Sequence, residues 1–107
     1  MKPEPLEIYT AKMRLRECQD LRPCVIIYVG AGRSVEVLPV SGQLQMKDDY
    51  LSFGIEKDHP DFFATGLTRT SYVVDGGMQM LQTDDLMKRL GHLEGDLARD
   101  FKKWFGL

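Results

Sequence analysis

Two cysteines in 107 residues, Cys18 and Cys24, are too few and wrongly spaced for a zinc cluster or a disulfide framework. In a reducing compartment Cys24 reads as a small apolar strand residue and Cys18 as a free thiol in a loop, rather than as a bonded pair. Histidine is as scarce. His59 and His92 both fall at expected helix boundaries, where an imidazole commonly caps or sits on the surface, which argues against a two-histidine ribonuclease. There is no excess of basic charge: the formal net charge is −2, so the chain as a whole does not attract nucleic acid or anionic lipid. Any RNA-binding surface has to be a local cluster of Lys and Arg. No apolar run follows Lys2, which excludes a signal peptide or a membrane span there and points to the cytoplasm. Internal repeats, low-complexity stretches and linkers are absent, and the length fits one domain, residues 1–107. Neither a metal nor a cofactor is expected. Asp48-Asp49 looks like loop and Asp84-Asp85 suits a helix start, so neither pair reads as a metal site.

What remains, 43% hydrophobic and 28% charged residues, is the balance of a globular protein with one modest core. Leu6 to Met13 is a plausible opening strand, and the polar stretch Arg14 to Leu21 is expected to loop back. Arg22-Pro23-Cys24-Val25-Ile26-Ile27-Tyr28-Val29 is the clearest strand. β-Branched residues dominate it, and Pro23 fits at its start, where no ladder donor is needed. Gly30-Ala31-Gly32 turns the chain tightly into Ser34 to Val40, completing a hairpin that places Arg22 and Ser41 at the same open end. Gly42 to Asp49 is loop-like. Leu51, Phe53 and Ile55 alternate with polar residues in a short strand over Tyr50 to Glu56.

Asp58 to Gly66 carries a proline near its start and a glycine stop, the marks of one or two helical turns. Leu67 to Val74 reads as a strand that Asp75-Gly76-Gly77 folds back onto Met78 to Leu81 as a second hairpin, with Met78 and Met80 on one face as core or interface. Thr83 is placed to cap a short helix running to Gly91. From Leu93 onward Leu97, Ala98, Phe101, Trp104 and Phe105 recur every three or four residues, so a final helix must bury them on its own barrel or on a partner. Lys102 and Lys103 suit the negative end of its dipole. The expected architecture is mainly β, a small twisted antiparallel barrel with C-terminal helices.

The order of these segments resembles the MazF/PemK toxins. Arg22-Pro23-Cys24-Val25-Ile26 is similar to that family's Arg-Pro strand, and Val37-Leu38-Pro39-Val40-Ser41 to its strand ending in a hydroxyl residue. Gly66-Leu67 leading to Ser71, Thr83-Asp84-Asp85-Leu86, and Leu90-Gly91-His92-Leu93 followed by Asp96-Leu97-Ala98 match in the same order. The opening Pro5-Leu6-Glu7-Ile8-Tyr9-Thr10 and a serine at 41 in place of the more usual threonine depart from the pattern.

The resemblance implies an SH3-like barrel of the MazF/PemK/CcdB type and a toxin of a type II toxin–antitoxin pair. Its activity would be metal-independent cleavage of single-stranded RNA, with the RNA's own 2′-hydroxyl as nucleophile. It makes Arg22 and Ser41 the catalytic candidates: a guanidinium to grip phosphate oxygens and a hydroxyl to position the scissile group. Ser71 and Arg69 become candidate RNA-binding residues. An antitoxin protein, a homodimer and no membrane are implied as well. The alternative is a barrel of the same fold that acts by binding protein, as the gyrase-poisoning relatives do, without cleaving RNA.

Overall fold

The computed structural model of the chain describes residues 2–15, 18–42 and 52–107, with the side chains of 14, 15 and 18–20 outside the description. The expected loop over 43–49, the Asp48-Asp49 pair, and Tyr50 and Leu51 of the expected strand lie outside the described residues. Among the described residues, seven strands and one α-helix follow in order: β1 (Glu7–Leu15), β2 (Cys18–Val29), β3 (Ser34–Ser41), β4 (Ser52–Ile55), β5 (Ser71–Val74), β6 (Gln79–Gln82), β7 (Leu86–His92) and α1 (Gly95–Phe105).

β1 and β2 pair antiparallel without interruption from Ile8 opposite Val25 to Leu15 opposite Cys18. The stretch expected to loop over Arg14 to Leu21 is thus mostly strand, and Cys18 stands on β2 rather than in a loop. Local polarity suggested a loop, whereas a long two-stranded arm satisfies its backbone groups across the ladder whatever the side chains are.

The sheet order runs β4-β5-β3-β2-β1-β7, with β6 also paired to β3. β6 and β7 therefore stand at opposite edges of the five-strand run β6-β3-β2-β1-β7. Four strand spacings would separate them by about 19 Å in a flat sheet. Only Thr83–Asp85 connects them, and four residue steps span at most about 14 Å. The sheet has to curl, and it forms a half-barrel.

Alternation then gives two cores. Cys24 and Ile26 of β2, Val35 and Val37 of β3 and Tyr9, Ala11 and Met13 of β1 pack together on one face. Val25, Ile27, Leu38 and Val40 pack on the other face with Ile55, Phe62, Val73, Leu97 and Phe101. Strands buried on both faces explain the unbroken apolar runs. Trp104 and Phe105 pack against the second of these cores, and Phe101 is fully buried in it. The aromatic stripe of α1 thus covers its own barrel, in edge, tilted and stacked contacts among Phe53, Phe101, Trp104 and Phe105. Lys102 and Lys103 lie in its last turn, as expected.

Three expectations in the C-terminal half are overturned. β5 and β6 do not form a hairpin. Both pair antiparallel with β3, β5 through Val40 opposite Val73 and β6 through Val37 opposite Gln79. They run in the same direction along one edge of β3, and the register slips by three residues between them. Pro39 stands at the slip and has no N–H to offer a partner. A Cβ on Gly77 would lie 2.8 Å from the Pro39 ring, so the glycine is what lets the chain pass over it. Met78 and Met80 are exposed, which removes the core alternative for them and keeps the interface one. The expected helix over Thr83 to Gly91 is a single 3-10 turn, Thr83–Asp85, followed by β7. Its first turn is held by the Asp85 carboxylate, which accepts the Gln82 amide at 2.9 Å, in place of the expected Thr83 cap. Pairing with β1 makes a strand of Leu86 to His92, although Leu86 to Leu90 are locally good helix formers.

Between β4 and β5 the expected helical turn is present as the 3-10 turn Phe63–Thr65, closed by Gly66 at φ 72°. Gly66 and Gly91 let this turn lie against β7 backbone to backbone, since a side chain on either would strike a carbonyl of the other segment. Among the described residues no helix is long and apolar enough to cross a membrane.

Candidate functional site

Arg22 lies on β2 opposite Ala11 of β1. The β2–β3 pairing runs as far as Cys24 opposite Pro39, two residues short of Arg22 and Ser41. At that point β3 leaves β2's company: Ser41 is paired to Tyr72 of β5. The strand end thus joins both parts of the sheet, and a cavity of about 350 Å³ opens beside it.

Two guanidinium groups line this cavity, Arg22 from β2 and Arg69 from the segment before β5. Thr68 and Ser71 add hydroxyls, and Leu21, Pro23, Val40 and Leu67 supply apolar wall. No carboxylate or imidazole is among the described residues that line it. Two basic residues from different elements thus line one groove of a chain whose net charge is −2.

The wall from Leu67 to Ser71 was expected to be strand as far as Leu67, but regular pairing starts only at Ser71. Side chains hold the preceding residues instead. The fully buried Thr65 hydroxyl donates to the Phe62 carbonyl at 2.7 Å and accepts the Leu67 amide at 3.1 Å. Thr70 accepts the Lys57 amide at 2.9 Å, and the Ser71 hydroxyl donates to the Arg69 carbonyl at 2.8 Å. Ser71 thereby fixes the backbone that carries Arg69, while its oxygen keeps acceptor capacity toward the cavity.

Of the four residues singled out from the sequence, Arg22, Arg69 and Ser71 line the same cavity. Ser41 does not. It is buried, 8% exposed, between the lining residues Val40 and Gly42. Sequence reasoning missed Gly42, over whose Cα the Arg69 guanidinium lies so closely that any side chain there would collide with it. A glycine directly after a strand was the available signal, since such glycines often mark a close approach.

The groups whose pKa values are shifted lie elsewhere. Cys24, two residues from Arg22, is fully buried, and burial pushes its thiol up to about 12, so it is no nucleophile. Burial raises the Glu7 carboxyl, but hydrogen bonding from Arg89, the Glu4 amide and the Arg89 charge outweigh that and hold it below its ordinary value. His59 accepts the Asp61 amide at 3.0 Å, a local capping role, and His92 lies 3.1 Å from Glu94. Asp84 pairs with Arg33, and Asp85 holds the Gln82 amide, which accounts for that acidic pair structurally.

By sequence, the chain matches no protein-family model and no curated protein. By structure it is similar to a Mycobacterium tuberculosis toxin, MazF-mt6, with a TM-score of 0.66 at 19% identity over 94% of this chain and 97% of that one. An endoribonuclease from a mycobacterial species, solved in complex with its cognate antitoxin, superposes with a TM-score of 0.68 at 15% identity over 99% and 97% of the two chains. A third neighbour, a toxin of the same bacterium, gives 0.65 at 17% identity over 94% and 96%. The chain has the MazF-like toxin fold.

Proposed function

We propose that a chain with this fold and this groove is the toxin of a toxin–antitoxin pair and cleaves single-stranded RNA without a metal ion. The observation that carries the reading is the cavity that Arg22 and Arg69 line together from two different elements. Clustered guanidiniums suit phosphate, whose oxygens accept the planar donor fork. A single-stranded backbone can enter an open groove, and the apolar wall of Leu21, Pro23 and Leu67 offers its bases a surface.

In the proposed reaction the RNA 2′-oxygen attacks the adjacent phosphorus. A P–O2′ bond forms and the P–O5′ bond breaks; the 2′-hydroxyl proton leaves and the departing 5′-oxygen gains one. The products are a 2′,3′-cyclic phosphate and a 5′-hydroxyl. Negative charge grows on the non-bridging oxygens, and Arg22, half-buried at the groove, neutralises it. Ser41 contributes by fixing the strand end beside Arg22. An antitoxin that covers the groove and a second copy of the chain belong to the same proposal. The exposed Tyr28 and Met80, aligned through Glu36 across β2, β3 and β6, offer apolar surface for such contacts.

One observation favours the alternative of binding without cleavage: among the described residues, no imidazole or carboxylate lines the cavity to move a proton. Incubation of the purified protein with a long single-stranded RNA in chelator separates the two. Discrete fragments ending in cyclic phosphate are expected, and Arg22→Ala, with its circular dichroism unchanged, should cut about 10²–10³-fold more slowly. Intact RNA would leave the binding reading, and undiminished cutting by the variant would remove Arg22 from the reaction.

A further inference from the structure

Arg69 stands on an exposed segment, yet its guanidinium is laid down on the protein instead of extending into solvent. A Cβ built on Gly42 would meet Nη2, Cζ and Nε of Arg69 in direct collision. The planar group thus rests on the one position of the β3 end that has no side chain. Among the described residues, no carboxylate lies within ion-pair distance of Arg69. A free guanidinium of this kind would sample many rotamers, and each contact it makes would carry the cost of ordering a long side chain. Stacked on a glycine, it is already oriented toward the cavity it shares with Arg22.

We infer that Gly42 is a positioning residue that seats the Arg69 guanidinium on the cavity wall, and that the seated Arg69 grips RNA backbone phosphate as a binding cation separate in role from Arg22. The inference rests on the RNA-binding reading above. Arg22 and Arg69 come from different elements and line the groove together, so a strand lying in it meets both. Arg69 is exposed whereas Arg22 is half-buried. A phosphate held by Arg69 away from the scissile group is bound alike in ground state and transition state, so Arg69 acts on KM rather than kcat. Substitution of Gly42 should move Arg69 without unfolding the strand, because the atoms displaced are the far end of a flexible side chain.

The test uses the full chain and a short single-stranded RNA with every 2′-hydroxyl methylated, which binds but has no nucleophile. Affinity is measured over a series of salt concentrations. Loss of one phosphate contact lowers the salt slope by about 0.7, and both Gly42→Ala and Arg69→Ala should show this, with affinity down about tenfold at low salt. Their thermal midpoints should stay at the wild-type value. The double variant should bind like either single one, since both remove the same contact. With cleavable RNA, KM should rise in both and kcat hold. Wild-type slope in Gly42→Ala, or a further drop in the double variant, would overturn the seat while leaving the RNA reading in place. Absence of salt-dependent binding by the wild type would overturn both.

Discussion

Cys24 is two residues from Arg22 on β2 and so shares its face of the strand, yet the two side chains meet opposite fates: the cation reaches a cavity and the thiol is sealed in a core. Burial penalises the thiolate and pushes the group from its ordinary 9.0 to about 12. The folded state therefore keeps its proton more firmly than the unfolded chain does. Its stabilising effect is complete below pH 9 and is lost as pH rises from about 9 toward about 12. Two measurements check this. Alkylation at pH 8.5 should label Cys24 only after denaturation, as mapped by peptide mass. The stability gap between wild type and Cys24→Ala should narrow across that alkaline window, and a constant gap would contradict the assignment. At this scale the sequence was readable where a residue's neighbours in the chain are also its neighbours in space. The β2–β3 hairpin whose strands carry Arg22 and Ser41 follows from one tight turn. Gly42 under Arg69 brings together residues with no local link, so the glycine after the strand could mark a close approach but not name its partner.

Helix α1 shows how one side chain anchors an element from a distance. Glu94, at its N-terminal boundary, makes no side-chain cap. Asp61, far back in the chain, supplies it instead: its carboxylate accepts the Asp96 amide at 3.0 Å and the Leu97 amide at 3.4 Å. Gly95, at φ 60°, leaves room for that carboxylate, since a Cβ there would lie 2.6 Å from it. Asp61→Ala should cost about 1 kcal/mol in urea unfolding, and more than Asp96→Ala, whose carboxylate pairs with Arg99 on the surface. Equal costs would show that the remote cap contributes nothing. The same dependence on distant partners explains which elements could be read from the sequence. β2, β3 and α1 carry their own periodicity and end signals. β7 does not, because its strand character comes from β1, through a register that shifts twice. β6 likewise found β3 instead of β5, because a proline on a third strand interrupts the edge.

For the molecule as a whole, the curled sheet has a separate core on each face, and the two depend on different closures. One is covered by α1, with Phe101 at its centre against Phe53, Trp104 and Phe105. Phe101→Ala should cost about 3–5 kcal/mol, and near-ultraviolet dichroism should lose the aromatic signal of this cluster before the backbone signal changes. A cost below 1 kcal/mol would show that α1 does not close that core. The mainly β barrel was legible because hairpin signals and apolar runs are dense from β2 to β3. That the aromatic helix serves its own barrel was not legible, since an amphipathic stripe is the same whether its partner is in the same chain or another.

The placement of β3 between β2 and β5 has a consequence for folding order. β1, β2 and β3 form two successive local hairpins, and such contacts form early because little chain must be closed to make them. Arg22 can therefore be in place while the chain beyond Gly42 is still unstructured. Arg69 arrives only when β5 has crossed the intervening chain to reach Val40 and Ser41, a non-local closure that comes late. A chain emerging from the ribosome presents one half of the groove long before the other. The cavity lined by both arginines comes into being with that non-local pairing, so the groove belongs to the joined sheet and not to the early hairpins.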